Sequence, residues 1–169
     1  MVLREAADAD VRTLVRLMRV AFEEYRDRLD PPSAAHDETE ETVRTRLAEG
    51  SAVIAFNAAE PVGFAFYQTQ DSHVYFSRLS VLPEHRRQGI GRALIEYVET
   101  RAQELGFKGV RLGVRLQLPH LKDRYERLGY RVARYVAHGG HTEPTYVLME
   151  KSVAHASGAR GVSASVSGD

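Results

Sequence analysis

Arg86-Arg87-Gln88-Gly89-Ile90-Gly91-Arg92 brings guanidinium groups together with two positions that lack side chains, at the point where a strand pattern gives way to a helix pattern. The first backbone N–H groups of a helix have no intrahelical partner, and the helix dipole is positive there. Such a place binds phosphate. Each exposed dipole contact contributes only about 0.3–1 kcal/mol, so a pyrophosphate needs several N–H groups together with Arg86, Arg87 and Arg92. Two nucleotide motifs of similar design are absent. Gly91 is followed by Arg92-Ala93 and not by the Lys-Ser/Thr of a Walker A loop, and Leu94 stands where the dinucleotide fingerprint needs a small residue. Taken alone, the loop is equally well served by a tight strand-to-helix turn with solvated arginines.

The elements on either side must position it. Phe76, Leu79 and Val81 supply strand formers, and Pro83 removes a backbone donor and closes the strand. Ile90, Ala93, Leu94, Tyr97, Val98, Ala102 and Leu105 then recur at the spacing of one helical face, and Gly106 ends that helix. Upstream, Val2–Ala6 reads as a short strand. Val11, Leu14, Val15, Met18, Ala21, Phe22, Tyr25 and Leu29 form the apolar stripe of a first helix, which Pro31-Pro32 terminates. A second helix opens on the acidic run His36–Glu41, is anchored by Val43 and Leu47, and stops at Gly50. Ser51–Phe56 and Val62–Gln68 read as a hairpin linked by Asn57–Pro61, with His73–Val81 as the next strand. Beyond the long helix, Val110–Arg115 is a strand that a crossover should place parallel to its neighbour. Leu118–Leu128 is a short helix ended by Gly129, and Tyr130–Val136 alternates toward a turn at Gly139-Gly140. Pro144–Glu150 closes the sheet. Ala154–Asp169 has hardly any large apolar side chain and is expected to be a flexible Ala/Gly/Ser-rich tail beyond a single domain at 1–153.

In this setting Val81–Leu94 resembles the acetyl-CoA-binding signature of the GNAT N-acetyltransferase superfamily, Gln/Arg-x-x-Gly-x-Gly/Ala, with Arg86, Gly89 and Gly91 in its three defined positions. Tyr125-Glu126-Arg127-Leu128-Gly129-Tyr130 resembles the family's second hallmark, a tyrosine four residues before a Gly-aromatic pair. In element order the resemblance covers residues 2–153. It implies an α/β (α+β) GNAT fold: a central mixed, mostly antiparallel, splayed sheet flanked by helices. It also implies acetyl-CoA as co-substrate. Backbone groups of Leu79, Ser80 and Val81 would pair with pantetheine amides, and Arg87, Gln88, Gly89, Ile90, Gly91 and Arg92 would surround the pyrophosphate. Tyr125 aligns with the tyrosine that protonates the leaving thiolate, a step from a reference pKa near 10 to one near 8.5. Core packing alone would also account for an aromatic there.

The resemblance gives no general base. Gly113 and Ser77 occupy positions where some relatives carry a glutamate, and Leu118 stands where many have an asparagine that contacts the cofactor. His73, His120, His138 and His141 are the titratable alternatives, with His120 and His141 nearest the expected cleft. Glu24 and Tyr25 are candidates on the acceptor side, and the Gly139–Thr145 loop should approach that side too. Acyl transfer to an amine by direct attack in a ternary complex needs no covalent nucleophile, so the absence of cysteine is no obstacle.

Composition bounds the rest. Lys+Arg and Asp+Glu are both 23, so the net charge of zero gives no global field for nucleic acid. No apolar run approaches a signal core or membrane span, and a cytoplasmic protein without metal is the expectation. The acceptor is then an amine on a small molecule or peptide, and sheet edges in this fold leave room for a homodimer. The competing class is a non-catalytic acyl-CoA-binding regulatory module. A nucleotide-phosphate enzyme would share the loop but lacks the lysine and metal-binding hydroxyl of phosphoryl transfer.

Overall fold

Along Ser51–Asn57, Ala52 and Ile54 point to one face and Val53 and Ala55 to the other, and all four are fully buried. A strand buried on both faces belongs in the middle of three layers. The computed structural model describes residues 1–153 and has that arrangement. Its strands are β1 (Val2–Glu5), β2 (Ser51–Asn57), β3 (Glu60–Gln70), β4 (His73–Val81), β5 (Gly109–Arg115), β6 (Arg131–Val136) and β7 (Tyr146–Ser152). They form one sheet in the order β1-β2-β3-β4-β5-β7-β6. Only the β4–β5 pairing is parallel among the described residues. The sheet is therefore mixed and mostly antiparallel, as the resemblance implied.

Helices α1 (Val11–Phe22) and α2 (Glu40–Glu49) cover one face, where Leu14, Leu17, Met18 and Val43 meet Ile54, Phe64 and Phe66. Helices α3 (Ile90–Glu104) and α4 (Pro119–Arg127) cover the other. There Ile90, Leu94, Ile95, Val98 and Ala102 pack on Val53, Val62, Val110 and Leu112. Each large side chain so buried contributes about 1.5–3 kcal/mol, which is why α3 is fixed along the sheet. The described residues contain no helix long and apolar enough to cross a membrane. The expected tail at 154–169 lies outside the described residues.

Local chemistry accounts for the boundaries. Thr39 caps α2 by accepting from the Thr42 N–H at 3.2 Å, so the acidic stretch before it forms a short 3-10 turn at Ala34–Asp37 and not the start of the helix. The apolar stripe expected to run to Leu29 leaves α1 at Phe22 and continues as a 3-10 turn at Glu23–Tyr25. The β2–β3 turn is tighter than the five residues expected. Asn57 pairs with Glu60, and Pro61 sits beside a bulge, a position a proline can occupy within a ladder.

The last strand does not close the sheet. Strand β7 lies between β5 and β6, because its Val147 and Met149 are fully buried while most of β6 is exposed. The arginine-bearing β6 takes the edge.

Two irregularities in β4 shape the site. Phe66 pairs with Ser77 and Phe64 with Ser80, so one extra residue is accommodated on β4, and Arg78 adopts the left-handed conformation with φ 57°. The parallel pairing to β5 is also brief. It runs from His73–Gly109 to Tyr75–Arg111 and then stops, while β5 pairs with β7 along its whole length. From Phe76 onward the β5-facing edge of β4 is unpaired.

Candidate active site

The opening between β4 and β5 leads to two cavities. One, of about 410 Å³, is lined by Leu79, Ser80 and Val81, by the loop from His85 to Arg92, and by His120, Arg124 and Tyr125. The other, of about 440 Å³, lies on the α1 side of the opening, over Tyr75, Ser77, Arg78, Gly113 and Arg115. Tyr25, Leu79, Leu121 and Tyr125 line both.

The first cavity has the features a phosphate-bearing ligand needs. Arg87 and Gly89 both have positive φ, 61° and 82°, and these two left-handed residues turn the chain so that α3 starts at Ile90. No side chain caps this helix and its first turn holds no acidic residue, so the Ile90, Gly91 and Arg92 N–H groups are free to donate. A Cβ on Gly91 would lie 2.8 Å from an Arg124 guanidinium nitrogen, so the missing side chain is what lets Arg124 reach over the loop. Ile90 itself is buried in the core and offers only its backbone. Arg92 is exposed and holds Glu96 at 2.7 Å.

Of the ten residues expected around the cofactor, nine line this cavity. Gln88 does not; its side chain turns back toward the Glu84 carbonyl. Arg86 also departs from a simple phosphate role. Its Nε donates to the Val81 carbonyl oxygen at 3.1 Å, and its terminal nitrogens grip both oxygens of the Glu24 carboxylate. This pairing ties the end of β4 and the phosphate loop to the turn after α1, and holds Tyr25 at the cavity boundary. Glu24 thereby lines the first cavity and not the second, while Tyr25 lines both.

Tyr125 is 8% exposed and lies in α4 with its ring against Tyr130 and Phe76, at centroid distances of 5.7 and 6.1 Å. Its hydroxyl has no hydrogen-bond partner among the described residues, and burial pushes the phenol up to about 12. The neighbouring Tyr130 is different. Its hydroxyl donates to Glu99 at 2.9 Å, and Lys151 donates to the same carboxylate. One tyrosine is anchored; the other presents a protonated, unengaged hydroxyl where the cavities meet.

Among the described residues no carboxylate lines the second cavity. A Cβ on Gly113 would stand 3.1 Å from the Tyr75 hydroxyl and 3.3 Å from the Tyr146 ring, so these two tyrosines fill the space a glutamate would need. Of the four candidate histidines, His138 lines this cavity and His120 the other, while His141 and His73 line neither. His138 shares a hydrogen bond between Nδ1 and the Thr145 hydroxyl, and its ring packs on Tyr146. Burial, then the charges of Arg115 and His141, hold it below the ordinary imidazole value. These effects favour the neutral ring. Sequence reasoning did not single out Arg124, Arg78 or Arg115. Arg124 stands next to Tyr125, a cue that was available; the other two depend on the bulge and on the strand splay.

The family model of the Acetyltransferase (GNAT) family matches residues 14–130, which span both motifs and most of the two cavities. The chain belongs to the GNAT family. An uncharacterised N-acetyltransferase, YjcF of Bacillus subtilis, is 27% identical over 93 residues, a match spanning 55% of this GNAT chain and 64% of the relative's length. Among solved structures, the ribosomal-protein-S18-alanine N-acetyltransferase of Escherichia coli superposes with a TM-score of 0.72 at 19% identity, covering 94% of this chain and 97% of that one. A Thermoplasma acidophilum N-acetyltransferase in complex with coenzyme A gives 0.72 at 20%, covering 90% and 99%. At these identities the structural likeness establishes the GNAT fold.

Proposed function

We propose that this GNAT protein transfers an acetyl group from acetyl-CoA to a primary amine of a small molecule or peptide, by direct attack within a ternary complex. The observation that carries this reading is the position of Tyr125, unengaged and protonated, between a phosphate-type cavity and a second, mostly apolar one.

Acetyl-CoA would supply an acetyl group already activated as a thioester. The free N–H groups of Ile90, Gly91 and Arg92, with Arg87 and Arg124, bind its pyrophosphate, and the unpaired edge of β4 at Ser80 and Val81 offers backbone donors and acceptors for pantetheine. Tyr125 holds a proton at Oη for the departing sulfur. His138, in the tautomer whose Nδ1–H donates to Thr145 Oγ1 across their hydrogen bond, takes the amine proton at Nε2. The non-catalytic alternative draws on the lack of a carboxylate in the second cavity. A neutral imidazole there meets the need.

Thiol release from acetyl-CoA, measured over a panel of amines with calorimetry of acetyl-CoA binding alongside, tests the reading. Release with one acceptor class and loss of most of it in His138→Gln are expected. Binding without release from any amine would favour the regulatory module, and no binding would overturn both.

A further inference from the structure

The second cavity is chemically lopsided. Its apolar wall includes Phe22, Leu29, Tyr75 and Tyr146, and among the described residues its only permanently charged lining groups are Arg78 and Arg115. Neither has a carboxylate to itself among the described residues: Arg78 shares Glu38, and Asp30 acts on Arg115 without forming an ion pair with it. Arg115 reaches from β5 toward the segment before α2, where one terminal nitrogen donates to the Pro32 carbonyl oxygen at 3.4 Å. Its other terminal nitrogen is buried with no hydrogen-bond partner, and the residue forms no ion pair among the described residues.

Arg78 is turned to this side of the sheet by the β4 bulge, which sets it beside Ser77 in the cavity wall. Its nearest carboxylate is Glu38, 3.5 Å away, but Glu38 is already held by Arg46 at 2.6 Å and by the Thr42 hydroxyl at 2.5 Å. One carboxylate serves two guanidinium groups, so one positive charge is left over, and Arg78 Nε is buried without a partner among the described residues. Burial disfavours the charged form of both arginines, and the Arg46 charge adds to this at Arg78; Glu38 at Arg78 and Asp30 at Arg115 offset it only in part. Buried cationic donors that lack acceptors are destabilising unless something supplies the acceptors.

A carboxylate would supply them. Guanidinium donors match a carboxylate in shape and charge, and a site built on such donors rejects analogues that lack the anion, because the donors are then left unpaired. A second cationic group on the acceptor would meet like charge from both arginines, and no carboxylate among the described residues lines the cavity to offset it. We infer that the acceptor is a small amine that also carries a carboxylate, seated on Arg115 and Arg78 with its apolar remainder against Tyr75 and Tyr146. This rests on the acetyltransferase reading and deepens it. The reaction is unchanged: the amine nitrogen forms the new C–N bond, the thioester C–S bond breaks with its electron pair going to sulfur, the amine proton passes to His138 and Tyr125 gives one to the sulfur. The carboxylate is a spectator that orients the amine.

The test compares acceptors differing only in that charge. Aromatic and aliphatic L-amino acids are assayed beside their carboxamides, with spermidine and an aminoglycoside as polycations and a short C-terminally amidated peptide without acidic residues as a peptide acceptor. Expected is a kcat/KM at least about tenfold higher for acid than for amide, as loss of a charged hydrogen-bond partner implies. In Arg115→Gln the ratio should fall to within about threefold of unity with acetyl-CoA affinity unchanged. Arg111→Gln, on the same strand but paired with Glu150 at 3.0 Å outside the cavity, should leave the ratio as it is. Calorimetry gives a readout independent of turnover: N-acetyl amino acids should bind the CoA-loaded wild type and bind Arg115→Gln about tenfold more weakly or worse. Equal or better use of amides, polycations or the peptide would overturn the inference, as would carboxylate binding indifferent to Arg115. Arg115-dependent carboxylate binding without thiol release would support the ligand class and overturn the catalytic reading instead.

Discussion

Replacing Tyr125 with phenylalanine removes one oxygen atom from the boundary between the cavities and leaves the ring contacts with Tyr130 and Phe76 in place. The hydroxyl has no partner among the described residues, so the substitution should alter stability by less than about 0.5 kcal/mol. Its kinetic effect can be bounded. With the phenol at about 12, proton transfer to a thiolate of reference pKa near 8.5 is uphill by about 3.5 units, or about 5 kcal/mol at 1.36 kcal/mol per unit. An enzyme turning over about ten times per second has a barrier of about 16 kcal/mol, so a transfer concerted with C–S cleavage fits within it. Loss of such a proton donor typically lowers the rate by about 10²–10⁴. The expected outcome for Tyr125→Phe is thus a fall in kcat of about a hundredfold or more, with acetyl-CoA affinity within about threefold and an unchanged melting temperature. Thiol release in single-turnover and steady-state modes, with calorimetry and thermal unfolding, reads all three. The raised phenol also fixes the pH profile: the donor stays protonated to well above pH 10, so the wild type should show no alkaline loss from this group below that pH. A kcat within threefold of wild type, or a fall matched by equal loss of acetyl-CoA binding, would refute the proton-donor role.

Tyr130→Phe should behave in the opposite way. It strips one hydrogen bond from Glu99 in a half-buried network, so unfolding by denaturant should show a loss of about 1–2 kcal/mol while kcat stays near wild type. Gly91→Ala places a Cβ against the mobile end of Arg124, so calorimetry should find acetyl-CoA binding weakened about three- to tenfold with little change in melting temperature. Glu38→Gln leaves Arg46 and Arg78 without their shared carboxylate. With Glu38 5% and Arg46 34% exposed, a loss of about 2 kcal/mol is expected, between the ranges for surface and buried pairs. Burial by itself would raise this carboxyl, but hydrogen bonds from Arg46 and Thr42 and the two guanidinium charges outweigh it and hold the value below the ordinary one. Its contribution to stability is therefore fully present above about pH 4.3, the unfolded value, and is lost as pH falls through the folded one. Acid unfolding of Glu38→Gln should be correspondingly less steep in that window.

Much of this molecule is legible in its sequence because its strongest signals are local. The alternation of β4, the helical stripe from Ile90, and the glycines at 89 and 91 are each specified within a few residues, and the structure places them where the periodicity puts them. Pairing between distant strands is not local. Nothing in Tyr146–Ser152 states that it will insert between β5 and β6; burial of Val147 and Met149 decides that only once both neighbours exist. The same holds for the site. The grip of Arg86 on Glu24 joins residues 62 apart, and a one-residue bulge, invisible to period-two reasoning, decides that Arg78 faces the second cavity. His138 and not His141 lies in that cavity because Thr145 draws back the chain after β6: its hydroxyl accepts from the His138 N–H at 2.9 Å.

The brief β4–β5 pairing has a mechanical meaning. The sheet is two plates, β1 to β4 and β5-β7-β6, stitched by a short run of parallel pairs, with α3 laid across the seam. A ligand lodged along that seam rivets the plates, and by mass action it adds about 2.7 kcal/mol to the folded state when present at a hundred times its dissociation constant. Opening of the seam, and exposure of the chain to proteases through it, then become rarer as the acetyl donor becomes more abundant. Limited proteolysis with and without acetyl-CoA would show it: cleavage slowed by the donor is expected, and cleavage indifferent to it would refute the seam as the point of opening.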